Sequence, residues 1–284
     1  MTSRGPLATA ILLGGALAVA VPGARAASTG GADQAPRMAR IPAGSYLPLY
    51  ARGPADGTGA GNPPRSRVAV EAFHMDVFPV TNAEYLEFVR AHPEWRRSRV
   101  KAVFADGGYL RHWEGDLHPG SRAPDASPVV FVSWFAARAY LAAHGKRLPS
   151  VDEWEYAAAA SETSRDASRD PAFLERLRYW YGQPTPERLP SVFASPRNIY
   201  GVAGLHGLVW EWTLDFNSAL VTGESRGDSA LERALFCGSG ATGAADFENY
   251  ASFMRYAFRS SLEARFTIAS LGFRGVRRDQ AGSS

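Results

Sequence analysis

The side chains in this chain that could carry redox or metal chemistry are few. The stretch "ALFCGSGATG" (234–243) holds the sole cysteine, Cys237, among small residues. Such a thiol is a nucleophile, one half of a metal site, or a small buried apolar group. As a thiolate it would need positive charge beside it, and Arg255 and Arg259 in "FMRYAFRSSLEARF" (253–266) are the candidate partners. The six histidines (His74, His92, His112, His118, His144 and His206) contain no H-x-x-x-H pair. His112 and His118 flank Trp113, Glu114 and Asp116 in "YLRHWEGDLHPG" (109–120), donors that would suit a loop metal site. Loop histidines beside acidic residues more often stand in solvent, and that is the expectation here. Glu211 is enclosed by Trp210 and Trp212, both expected in the core. Only two of the 31 basic residues are lysine, so gripping a carboxylate falls to the two-pronged guanidinium.

The elements that must hold these residues are short. Residues 37–50 read as an apolar strand with a Pro-Ala-Gly turn, and 67–80 as strand, turn, strand. Thr81 and Glu84 form a capping box for a helix whose Tyr85, Phe88 and Val89 share a face. Val129–Val132 reads as a short apolar strand. Ser133 caps a helix that runs to His144 and stops at Gly145. Pro149 breaks the chain, and Ser150 with Glu153 opens another helix carrying Trp154. Residues 161–197 are polar, Arg-rich and weakly patterned. Glycines at 201, 204 and 207 precede a Trp-Glu-Trp strand, and "SLGFRGVRR" (270–278) reads as a closing strand. Two or three helices among short strands and long loops are expected, and long loops in a compact domain usually carry function.

The first residues bear on compartment. Arg4, the apolar run 6–23 and "ARA" (24–26) form the pattern of a cleaved secretory signal over 1–26. The run is short for a transmembrane span and no charged stop follows it. No membrane span is therefore expected in the mature chain, and the location is expected to be periplasmic or secreted. Residues 27–36 read as a disordered linker, 37–278 as the domain and 279–284 as a tail. Loss of Arg4 and Arg25 with the leader takes the formal charge from +3 to +1. With no basic cluster, nucleic acid is excluded as a partner. One cysteine cannot make an internal disulfide, so stability must come from the core.

Five ordered motifs carry a family resemblance. "RIPAGSY", "FHMDVFPVTNAEYLEFV", "GKRLPSVDEWEYAAAA", "NIYGVAGLHGLVWEWTLD" and "SLGFRGVRR" resemble, in order, the signatures of the formylglycine-generating enzyme (sulfatase-modifying factor) family. The resemblance spans 37–278 and implies an α+β fold with little regular secondary structure, distantly like a C-type lectin domain. Members that make formylglycine use two cysteines just after an R-G-G-S turn to hold copper(I). Here that turn aligns with Phe236-Cys237-Gly238-Ser239, so Cys237 falls on a glycine position. Counting forward from Ser239 puts the two cysteine positions at Thr242 and Phe247. Counting back from "LGFR" puts them at Asp246 and Ala251. No cysteine stands at any of them, so the copper–thiolate pair and sulfatase activation are excluded.

The resemblance also implies a groove for an extended peptide. Cys237 and Ser239 are its candidate catalytic residues, and Glu211, Arg259 and Asp246 its candidate binding residues. Cys237 equally fits a buried place in a tight turn, Ser239 a cap of its own turn, and Arg259 a partner for a core carboxylate. A family calcium loop falls on the Gly207 and Val209 carbonyls and Glu211, but Gly204 and Leu208 supply no side-chain oxygen. The favoured alternative has Glu211 accepting buried hydrogen bonds from loop N–H groups. The histidine triad of the family's ergothioneine-type iron enzymes is not matched. The "F-C-G-S-G" and "F-M-R-Y-A-F-R-S-S-L" stretches resemble the nitrite-reductase-associated branch. That branch implies a periplasmic redox enzyme or a peptide as partner, with a role in its maturation. The alternatives are a non-heme metal oxidase centred on Cys237 and a non-catalytic lectin-like binding domain. No cofactor is assigned.

Overall fold

The computed structural model describes residues 37–48, 66–216 and 250–279. The architecture is mixed α+β with modest regular secondary structure. Strand β1 (Met38–Ile41) pairs antiparallel with β4 (Phe73–Asp76), which pairs on its other edge with β7 (Val276–Arg278). Strands β2 (Gly44–Tyr46) and β3 (Val68–Val70) form a separate antiparallel pair. Strands β5 (Trp210–Glu211) and β6 (Leu271–Gly272) form a two-residue parallel pair. This last pairing brings the Trp-Glu-Trp and Gly-Phe-Arg segments together.

Local chemistry sets the helix starts. Helix α1 (Asn82–Ala91) opens on the Thr81–Glu84 capping box, with both reciprocal hydrogen bonds present. Helix α2 (Trp134–Ala143) is capped by Ser133, and Gly145 follows it at φ +64°. Helix α3 (Val151–Ala158) opens on the Ser150–Glu153 box. Helix α4 (Pro171–Tyr181) lies in the stretch with no expected element; Asp170 caps it and proline takes its first position. Helix α5 (Tyr250–Ser260) precedes the closing strands. The described residues thus hold five helices rather than two or three. None of them is long and apolar enough to cross a membrane.

Two further expectations change. Val129–Val132 is buried but is not a strand. Val129 N–H reaches the Val80 carbonyl, but Phe131 turns to φ +55° and breaks the ladder. The closing strand is split into β6 and β7 because Arg274, between them, turns wholly inward.

The largest core packs α1 against α2 through Tyr85, Phe88, Tyr140 and Leu141, together with Trp113, Trp212 and Phe273. A second core lies between the three-stranded sheet and α3, through Ile41, Phe73, Met75, Trp154 and Ala157. Aromatic burial supplies much of the apolar stabilisation in both.

Candidate binding cleft

Arg255 and Arg259 stand one turn apart on α5, so both side chains leave the helix on one face. Both side chains reach Glu155 on α3, which lies between them. Arg255 donates from Nε to Glu155 Oε1 at 2.9 Å and from Nη2 to Oε2 at 2.7 Å. Arg259 donates from Nη1 to Oε1 at 2.6 Å, its one hydrogen bond among the described residues. All three side chains are buried. Burial alone would raise the Glu155 carboxyl, but Arg255 and then Arg259 outweigh it and hold it at about 2. Among the described residues, two cations against one anion leave a buried positive charge. Part of it rests on the face of Trp154, which lies 4.9 Å from the Arg259 guanidinium carbon.

A hydrogen-bonded chain extends from Arg255. Its Nη1 lies 3.4 Å from the Tyr181 hydroxyl, which in turn lies 3.2 Å from His206 Nδ1. His206 Nε2 is 2.8 Å from the Ala158 carbonyl. The carbonyl can only accept, so Nε2 carries the proton and Nδ1 accepts from Tyr181. Burial, then Arg255, pushes His206 down to about 3, and the ring is neutral.

A cavity of about 140 Å³ opens beside this cluster, with Arg255, Arg259 and Glu211 in its lining. Trp180, Tyr181, Trp210 and Phe258 form aromatic walls. Trp210 stacks on Phe258 at 4.4 Å and leans on Tyr181 at 5.0 Å. It is therefore a half-buried wall of the cleft, whereas Trp212 is fully buried as expected. Gly207 sits at φ +80° beneath Trp180, where a Cβ would come within 2.9 Å of the indole. The glycine lets the loop close onto that wall.

The structure brings Glu211, Arg259, Gly207 and Val209 to this one cleft. Cys237, Ser239 and Asp246 lie outside the described residues, as do Thr242 and Phe247. Glu211 accepts from the Trp154 indole at 2.7 Å and from Arg274 Nε and Nη2 at 2.8–2.9 Å. These side-chain donors replace the loop N–H groups expected for it. With a guanidinium seated across both of its oxygens, Glu211 does not fit a calcium ion, which needs six to eight oxygen donors. Arg255 and Arg259 both bond Glu155, and their position relative to Cys237 lies outside the described residues.

The loop 109–120 does not gather a metal site either. Asp116 accepts from the Ser98 N–H and hydroxyl, and Glu114 from the Ser121 N–H. Among the described residues no group of three or more His, Cys, Asp or Glu is placed to hold a metal ion. His112 is not solvated, contrary to expectation: both ring nitrogens are buried.

Comparison with known proteins now decides the family. The profile of the sulfatase-modifying factor enzyme 1-like domain matches residues 24–279. The chain belongs to the sulfatase-modifying factor family. It is 32% identical over 219 residues to the inactive C-alpha-formylglycine-generating enzyme 2 of Bos taurus, covering 64% of this chain and 72% of that one. It is 30% identical over 314 aligned positions to the formylglycine-generating enzyme of Streptomyces coelicolor, covering 91% and 96%. Among solved structures it is similar to PvdO from Pseudomonas aeruginosa, at 18% identity and a TM-score of 0.46, covering 85% and 94%. Within this family the present chain has one cysteine and so lacks the copper–thiolate pair.

Proposed function

We propose that this sulfatase-modifying factor chain is an exported binding member of the family. On this reading it takes a segment of a periplasmic redox enzyme, of the copper nitrite reductase type, and assists its maturation or function. The observation that carries it is the cleft of Trp180, Tyr181, Trp210 and Phe258 set against two guanidiniums that share one carboxylate. Aromatic walls and an excess positive charge suit a peptide with apolar and acidic side chains. The absence of a thiol pair supports binding over oxidation. So does similarity to a relative whose name marks it as inactive. The export reading rests on the leader-like residues 1–26.

The test is capture from the periplasm of denitrifying cells with wild type and with Trp210→Ala. That substitution removes one wall and leaves the buried ion cluster in place. Wild type is expected to enrich a copper or other redox enzyme, and the variant to lose most of it. Equal recovery by both, or recovery of no redox enzyme, would refute the proposal.

A further inference from the structure

The loop that leads from α1 to α2 carries cations close together. Arg96, Arg97, Arg99 and Lys101 fall within residues 96–101, a basic run where none was expected. Arg96 donates to the Val89 and Arg90 carbonyls and Arg97 to the Trp113 carbonyl, neutral acceptors that leave both charges in place. Neither these two nor Arg99, Lys101 or Arg138 is in an ion pair among the described residues. The acids beside them are Glu94, Asp106 and Asp116. Asp106 accepts from the Gly108 and Thr267 N–H groups, and Asp116 from Ser98. Five cations against three acids leave two positive charges in surplus.

Apolar side chains stand out from the same loop. Lys101 to Phe104 make a tight turn, closed by the Phe104 N–H on the Lys101 carbonyl at 2.8 Å. All four residues are exposed, Val103 at 66% and Phe104 at 38%. Turns are normally tipped by Gly, Asn, Asp or Ser. An aliphatic side chain two-thirds exposed gains little from the fold that carries it.

Behind the tip, Trp95, Phe104, Phe135 and Trp134 form a continuous strip of rings, with centroids 5.7, 5.6 and 5.4 Å apart in turn. Trp95, Trp134 and Phe135 are half-buried, so the strip is part of the surface. The Arg138 guanidinium lies 4.5 Å from the centre of the Trp134 ring. Lys101 therefore opens the turn at one end of the strip, and Arg138 stands at the other.

An apolar patch rimmed by unpaired cations is complementary to a surface that is anionic outside and apolar beneath. A bilayer with acidic headgroups has that order: phosphates first, then an interfacial layer that favours indole rings. A basic run alone would also draw a nucleic acid or an acidic protein. A nucleic acid offers Val103 nothing, and a folded protein would need a pocket shaped to this one turn, whereas a bilayer admits an apolar tip without one. We propose that the Lys101–Phe104 turn is a peripheral membrane contact. Val103 and Phe104 enter the headgroup layer of an anionic bilayer, and Arg99, Lys101 and Arg138 pair with lipid phosphates. This surface shares no residue with the aromatic cleft and does not depend on the function proposed for it.

The probes are vesicles of equal parts phosphatidylglycerol and phosphatidylcholine, and vesicles of phosphatidylcholine alone, with bound protein separated by sedimentation. Pro36–Ser284 is a compact unit by itself, so a chain starting at Ala27 is tested beside the full one, and any binding by the apolar leader-like residues shows as a difference between the two. The chain from Ala27 is expected to bind the mixed vesicles at least about tenfold more tightly than phosphatidylcholine. It should lose most of that binding in about 0.5 M salt. Replacing both cations of the turn, Arg99→Gln with Lys101→Gln, should weaken binding by about tenfold or more. Val103→Ser should weaken it about fivefold with no change of charge. These side chains are exposed, so the variants are expected to melt as wild type does. Equal binding to both kinds of vesicle, or binding that disappears with residues 1–26, would overturn the proposal. So would Val103→Ser binding as wild type does; with the charge variant weakened, that result would mark the run as a site for an acidic macromolecule.

Discussion

At the scale of residues, this interior treats its ionisable groups in two ways. Glu155 keeps its charge because two guanidiniums share it. His206 and His112 give theirs up because burial and nearby arginines disfavour the proton. Both responses make the fold sensitive to acid. The two imidazoles sit at about 3 and about 4 when folded, against 6.5 unperturbed, so the unfolded chain takes up protons first as pH falls below about 6.5. Glu155 sits at about 2 against 4.5, so its stabilisation is complete above about 4.5 and fades as pH falls towards 2. Urea unfolding followed from pH 7.5 to 4 should therefore show stability falling steadily below pH 6.5. A flat profile between pH 6.5 and 5 would contradict buried neutral histidines.

Little of this was legible in the sequence. Arg259 was expected as a partner for a core carboxylate and is one, but Glu155, about a hundred residues away on α3, could not be named as that partner from sequence. Glu155 is enclosed in an apolar run, and only the fold shows what it meets. His112 has acidic neighbours in sequence, yet its ring turns from them towards Phe131.

At the scale of elements, Arg274 joins parts that have little regular hydrogen bonding of their own. It donates to Glu211 in β5, to the Asp76 and Val77 carbonyls at the end of β4, and to the Ala203 carbonyl in the glycine loop. β5 and β6 have only two residues each, so this guanidinium holds the segments at least as firmly as their backbone ladder does. Arg274→Met fills the space but strands a buried carboxylate. The expected loss is about 3–5 kcal/mol by chemical denaturation. A loss under about 1 kcal/mol would mean that the ladder alone suffices.

The helices that announce themselves in sequence are those with local start signals. Thr81–Glu84 and Ser150–Glu153 each close within four residues, so they were readable before any packing was known. Helix α4 has a start signal too, Asp170 before Pro171, but Glu175 and Arg176 between Leu174 and Leu177 mask its apolar face. The reverse holds for Val129–Val132. Its apolar run suits a strand, and the positive φ of Phe131 is a tertiary demand that no local pattern encodes.

At the scale of the molecule, the fold of the sulfatase-modifying factor family persists without the thiol pair that its formylglycine-forming members use. The described residues line, among other hollows, a cleft walled by aromatic rings beside excess arginine charge and a second cavity edged by Arg111 and Arg122, with Thr185 and Pro186 in the lining of both. The ordered motifs made the fold legible because each marks a buried junction: the capping boxes, the Trp-Glu-Trp strand and the inward Arg274. The cavities were not legible because their walls come from segments far apart in the chain.

The function proposed above is binding without oxidation of a cysteine. The direct measurement is mass spectrometry of a cysteine-containing sulfatase-type peptide after incubation with the protein, copper(I) and oxygen. The predicted result is a peptide of unchanged mass with wild type and with Cys237→Ser alike. Conversion of the peptide cysteine to formylglycine by wild type, abolished in Cys237→Ser, would contradict it.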